Sequence, residues 1–71
     1  MVIIEGVPIE RDTLRLRNEF LELPGLSVTV PQIARLLGVR LQHAEDMLDQ
    51  LAREGFLIVD AQGAYRRAGV R

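Results

Sequence analysis

The sequence predicts one small α+β domain, with a short N-terminal strand, three helices and a C-terminal β-hairpin. Apolar residues recur at helical spacing in three segments, and each segment is followed by Pro-Gly or by a glycine. An apolar segment at residues 56–59, an Asp-Ala-Gln-Gly turn and a return segment at residues 64–67 then predict the hairpin. Since 71 residues suffice for one domain only, we assign residues 1–71 to a single domain.

The composition is that of a folded chain, with 48% hydrophobic and 27% charged residues, and this argues against intrinsic disorder. The chain has no cysteine, so neither disulfides nor thiolate metal sites can stabilise its small core, and oligomerisation is the usual remaining means. No apolar run is long enough to span a bilayer. We therefore expect no membrane partner and a cytoplasmic location.

The first nine residues are rich in valine and isoleucine and are interrupted by a glycine and a proline, which predicts a short strand and then a turn. The first helix is predicted to begin near Asp12, whose carboxylate can cap it, and to end at Pro24 and Gly25. Its inward residues are expected at helical spacing: Leu16, Phe20 and Leu23, with Leu14 and Leu21 flanking them.

The second helix is predicted over residues 31–37, after a short β-branched stretch at residues 26–30. Thr29 is its candidate cap, and Pro31 suits the first turn because its missing N–H costs nothing there. Gly38 ends the helix. The expected inward residues are Ile33, Leu36 and Leu37, and the small Ala34 permits close approach of another helix.

The third helix is predicted over residues 41–54, with Gly55 as its C-terminal stop. Its apolar residues form a stripe at i, i+3, i+4 and i+7: Ala44, Met47, Leu48 and Leu51. Strands are expected at residues 56–59 and 64–67 around a tight turn at 60–63, and residues 68–71 are expected to fray.

Two segments carry a resemblance to a known fold. Residues 33–39, Ile-Ala-Arg-Leu-Leu-Gly-Val, resemble the segment of bacterial winged helix-turn-helix regulators (the MarR, ArsR and FeoC-like families) in which two helices cross closely. Residues 47–57, Met-Leu-Asp-Gln-Leu-Ala-Arg-Glu-Gly-Phe-Leu, resemble the end of their recognition helix and the first wing strand. The resemblance covers residues 12–67. It implies a small, dimeric regulator of transcription that binds double-stranded DNA.

The resemblance also implies which residues would meet DNA. The third helix would enter the major groove, the wing would touch the backbone, and the second helix could add a phosphate contact. The candidates are Arg40, Gln42, His43, Asp46 and Gln50 on the third helix, Arg66 and Arg67 in the wing, and Arg35 on the second helix.

Charge favours a different function for the same fold. The chain has a net charge of −1, and residues 39–54 hold two arginines against four acids, a net charge of −2. Residues 61–71, in contrast, hold three arginines and no acid, a net charge of +3, which favours contact of the wing with DNA phosphates. DNA-binding domains usually carry a basic face, so the alternative is a protein-interaction module. It would dock its partner through the acidic third helix, through Leu41 or through the N-terminal strand.

The apolar N-terminal residues Val2, Ile3 and Ile4 could cover the core of the domain or form a two-fold contact in a homodimer. A catalytic site is not expected, because the chain has one histidine, no cysteine and no glycine-rich phosphate loop. His43 lacks partners at metal-ligand spacing, so we expect no metal and no cofactor.

Overall fold

The computed structural model describes residues 8–69 and confirms the α+β class. Three helices pack against a three-stranded antiparallel sheet in which β3 lies between β1 and β2. The elements follow one another as α1 (Pro8–Glu22), β1 (Ser27–Val28), α2 (Val30–Leu37), α3 (Leu41–Arg53), β2 (Leu57–Val59) and β3 (Tyr65–Arg67).

The first helix begins at Pro8, so the predicted start near Asp12 is wrong. Proline is favoured in the first turn of a helix, where its missing N–H would have no partner in any case. Asp12 therefore lies inside α1 and does not cap it. The strand and turn predicted for residues 1–9 are wrong at residues 8 and 9, which are helical, and otherwise lie outside the described residues.

The C-terminal end of α1 also differs from its prediction. The helix stops at Glu22, and Leu23 is 53% exposed instead of buried. The reason is Pro24, because a proline disfavours the helical conformation of the residue before it. Leu16 and Phe20, the other two residues of the predicted stripe, are fully buried.

The core lies between the three helices and one face of the sheet. The stripe predicted for α3 is confirmed, since all four of its members are fully buried: Ala44, Met47, Leu48 and Leu51. In α2 the inward residues are Ile33 and Ala34, with Leu37 packed at the margin. The prediction for Leu36 is wrong, because this side chain is 58% exposed.

Local sequence explains the ends of α2. The helix begins after Thr29, whose backbone N–H donates to Oε1 of Gln32 at 2.8 Å. It ends at Gly38, which adopts the left-handed conformation at φ 69° that glycine tolerates best. Only Val39 and Arg40 separate Gly38 from the start of α3 at Leu41, so the α2–α3 connection is a tight turn.

The hairpin matches its prediction closely. Oδ1 of Asp60 accepts hydrogen bonds from the backbone N–H groups of Gln62 and Ala64, at 2.9 and 3.0 Å, and these bonds fix the turn. Tyr65 pairs with Val59 on one side and with Val28 on the other. Because side chains alternate along a strand, Tyr65 points to the core and Arg66 points away from it.

Candidate binding surface on the third helix

The outward face of α3 is acidic. We define this α3 face as the exposed side chains Leu41, Gln42, Glu45 and Asp46. Asp49, one turn further along, is half-buried. Arg40, the last residue before the helix, is exposed and makes no capping bond through its side chain. The face therefore presents two full carboxylates to solvent close to one exposed leucine.

Two amides predicted to read DNA bases are engaged with carboxylates near them. Nε2 of Gln42 donates to Oδ1 of Asp46 at 2.9 Å, one turn along the helix. Nε2 of Gln50 donates to Oε2 of Glu54 at 3.3 Å. Their use in base recognition would require these bonds to break first.

His43 lies between α1 and α3. Its Nε2 is 2.9 Å from Oδ2 of Asp12, and the two side chains are only 26% and 24% exposed. The pair ties the N-terminal halves of the two helices together. The sequence predicts that His43 faces a DNA groove, whereas the structure turns it towards α1.

Asp49 belongs to the same surface, although sequence analysis gave it no role. Its Oδ1 accepts a hydrogen bond of 2.6 Å from the hydroxyl of Tyr65 on β3. Burial of the phenol, followed by this bond and by the charges of Asp49 and Glu45, raises the pKa of Tyr65 to about 12. The bond links α3 to the hairpin and so fixes the orientation of one relative to the other.

The raised pKa predicts a loss of stability at high pH. The folded state holds the Tyr65 proton more tightly than the unfolded state does, so this contribution is complete below about pH 10. It is lost as the pH rises from about 10 towards 12. Tyr65 is the only tyrosine and the chain has no tryptophan, so the ultraviolet absorbance of the phenolate follows this group alone.

We expect one titration near pH 12 in the folded protein and one near pH 10 in denaturant. A Tyr65→Phe variant should lack the corresponding fall in stability over that interval. Titration of the folded protein near pH 10 would contradict the burial and the bond to Asp49.

The two predicted wing arginines differ in their surroundings. Arg66 is exposed on the outer face of the sheet, opposite Ile58. Arg67 is half-buried, with its guanidinium 4.7 Å from the centre of the Phe56 ring. Its Nε is buried without a hydrogen-bond partner, so the side chain is held against the ring instead of reaching into solvent.

Arg17 of α1 shares the same ring, at 4.9 Å from its centre, and sequence analysis did not single it out. Its Nη2 lies 2.6 Å from Oε1 of Glu54, a bond that lowers the pKa of that carboxyl. The edge of the Phe56 ring also contacts Phe20, at a centroid distance of 6.4 Å. This cluster joins α1 to the end of α3 and to the hairpin.

The remaining candidates, Arg35 and Arg40, are exposed on α2 and in the turn before α3. Among residues 11–69 no carboxylate lies within ion-pair distance of either one, or of Arg66. The hairpin turn, where a wing would approach a phosphate, holds Asp60 and no basic residue. The candidate cations are therefore dispersed, whereas the carboxylates are clustered on α3.

Comparison of the chain with family models, with curated proteins and with solved structures finds no match. Among the described residues there is no pocket, and no group of three histidine, aspartate or glutamate side chains is placed to hold a metal ion. No helix in this part of the chain is both long and apolar enough to cross a membrane. The described surface offers exposed charged side chains on α3.

The apolar part of that face lies at the α2–α3 turn. Leu36 and Leu41 flank the turn, and each is 58% exposed. Exposed apolar side chains with charged groups around them can supply the apolar contact of a binding surface. Chemically, this end of α3 combines an apolar contact with the carboxylates of Glu45 and Asp46.

Proposed function

We propose that the chain is a winged helix-turn-helix domain that docks a protein partner through the α3 face. The order of the elements supports the fold, because α2, a tight turn and α3 are followed by a two-stranded hairpin that pairs with β1. A fold does not determine a function, so the function depends on the chemistry of the surface.

The observation that carries the proposal is the exposure of Leu41, Glu45 and Asp46 on one face of α3. Leu41 is 58% exposed, and the two carboxylates are exposed one turn away from it. An apolar contact at the centre of an interface supplies affinity, while charges at its rim select the partner. The partner that complements this face is a helix or loop with exposed leucine-like and basic side chains.

Electrostatics favours a protein partner over a DNA groove. A carboxylate about 4 Å from a phosphate costs about 1–4 kcal/mol before screening by salt. One good base contact contributes about 1–3 kcal/mol, which two such carboxylates can cancel. For a basic protein segment the same charges are attractive.

A basic, amphipathic peptide of lysine and leucine is therefore expected to bind the α3 face. In a titration followed by NMR, the amide signals of residues 41–49 should shift, because the peptide covers Leu41 and pairs with the adjacent carboxylates. A peptide with glutamate in place of lysine should cause no such shifts.

Two double variants with the same change of charge provide the control. Glu45→Gln with Asp46→Asn should weaken binding of the basic peptide about tenfold, whereas Glu19→Gln with Glu22→Gln on α1 should not. Equal weakening by both pairs would indicate attraction to net charge alone, and would count against docking at α3.

DNA binding is the second candidate, as a small regulator of transcription. The observation that favours it is the exposure of Arg35, Arg40 and Arg66, which have no ion-pair partner among the described residues. In this function α3 would enter the major groove, and these arginines would contact phosphates. It requires the bonds of Gln42 and Gln50 to open, and it predicts binding that weakens steeply with salt.

A further inference from the structure

The helix α1 carries a second exposed apolar surface, distinct from the α3 face. Leu14 and Leu21 are 56% and 49% exposed. They lie seven residues apart, so they occupy the same face of the helix at a separation of about 10 Å. The buried residues Leu16 and Phe20 point the other way, into the core.

A charged residue follows each of these leucines, and the two charges are opposite. Arg15 comes directly after Leu14, and Glu22 comes directly after Leu21. Both are exposed, and neither has an ion-pair partner among residues 11–69. The same pattern, a leucine followed by a charged residue, therefore occurs twice on this face, two helical turns apart, with opposite charges.

We propose that this face binds a second copy of the chain, with the two α1 helices antiparallel about a two-fold axis. The axis would pass between Leu14 and Leu21, close to the exposed Asn18. Each Leu14 would then contact Leu21 of the partner subunit, and each Arg15 would pair with Glu22 of the partner subunit. A two-fold axis forms every contact twice.

The charge pattern identifies the occupant and the orientation. In an antiparallel pair the two flanking charges fall on the same side of the contact and attract. In a parallel pair the flanking charges of the two helices would fall on opposite sides of the contact, so Arg15 and Glu22 would form no pair across it. The face is thus complementary to itself in one orientation, which is what a homodimer requires and an unrelated partner does not.

The contact is small, because only two helical turns take part on each side. We expect weak association, with a dissociation constant on the order of 0.1 mM. Sedimentation equilibrium of the full chain at concentrations up to about 1 mM should show a monomer–dimer equilibrium.

Reversed charges test the pairing directly. Arg15→Glu alone and Glu22→Arg alone should each weaken self-association at least about tenfold, since both inter-subunit pairs become repulsive. An equimolar mixture of the two variants should associate about as strongly as the unchanged protein, because every pair is then complementary. The variants change exposed side chains only, so circular dichroism should show an unchanged fold.

Three results would overturn the proposal: a monomer throughout the concentration range, a mixture that associates no better than its components, or contacts of residues 1–7 with Leu14 and Leu21 in the monomer. The last result would mean that the N-terminal residues of the same chain cover this face, and not a second copy. A Glu45→Gln variant should dimerise normally, so the outcome is independent of docking at α3.

Discussion

Replacement of Phe20 by alanine is expected to unfold the domain at room temperature. Phe20 is fully buried in α1 and contacts the edge of the Phe56 ring. Removal of a buried phenylalanine costs about 3–5 kcal/mol, through lost burial and the cavity that remains. A core of this size rarely supplies more than about 3–5 kcal/mol, so little or no stability would be left.

The matched control is Leu21→Ala, the next residue of the same helix, which is 49% exposed. It should change the free energy of unfolding by about 0.5 kcal/mol or less. Urea denaturation followed by circular dichroism measures both variants. A Phe20→Ala protein as stable as the Leu21→Ala protein would show that the core is placed wrongly.

Reversal of the charge on the α3 face is expected to create DNA binding. The double variant Glu45→Arg with Asp46→Arg changes residues 39–54 from a net charge of −2 to +2. It also frees Gln42 from its bond to Asp46. The α3 face would then present arginines, which attract DNA phosphates, in place of carboxylates, which repel them. At about 50 mM salt, we expect mixed-sequence duplex DNA to bind the double variant at least about tenfold more tightly than it binds the unchanged chain.

A second variant distinguishes the effect of the position of the new arginines from the effect of net charge. Glu19→Arg with Glu22→Arg makes the same change of charge on α1, and it should gain much less affinity for DNA. Fluorescence anisotropy of labelled duplex measures all three proteins. An equal gain by the two variants would show that overall charge, and not the position of α3, controls DNA binding.

The sequence predicts α3 and the hairpin well because both are specified locally. The stripe of Ala44, Met47, Leu48 and Leu51 has one periodicity and one clear stop at Gly55, and every member is buried. The hairpin turn depends on two local features. Asp60 accepts a hydrogen bond from the backbone N–H two residues later, and Gly63 adopts a positive φ.

The predictions fail where a local signal has two interpretations. Pro8 fits a turn as well as a helix start, and the structure uses it as a helix start. In α2, Leu36 fits helical spacing with Ile33, whereas Ala34 fits it with Leu37. Packing against α3 selects the smaller Ala34 because it allows close approach, and it leaves Leu36 exposed.

Much of the candidate site depends on contacts between distant segments, which a spacing pattern does not reveal. His43 meets Asp12 of α1, Asp49 meets Tyr65 of β3, and Arg67 lies on Phe56. The sequence assigns these residues to helices and strands and shows the negative charge of α3. It does not show which polar side chains are hydrogen-bonded to one another in the folded chain.

The most direct test of the central claim is titration of labelled mixed-sequence duplex DNA with the unchanged chain at about 50 mM and about 200 mM salt. A protein-docking α3 face predicts no binding at either concentration while the protein stays folded. Tight binding at low salt that falls steeply at high salt would contradict the claim, and would establish that the exposed arginines outweigh the carboxylates of α3.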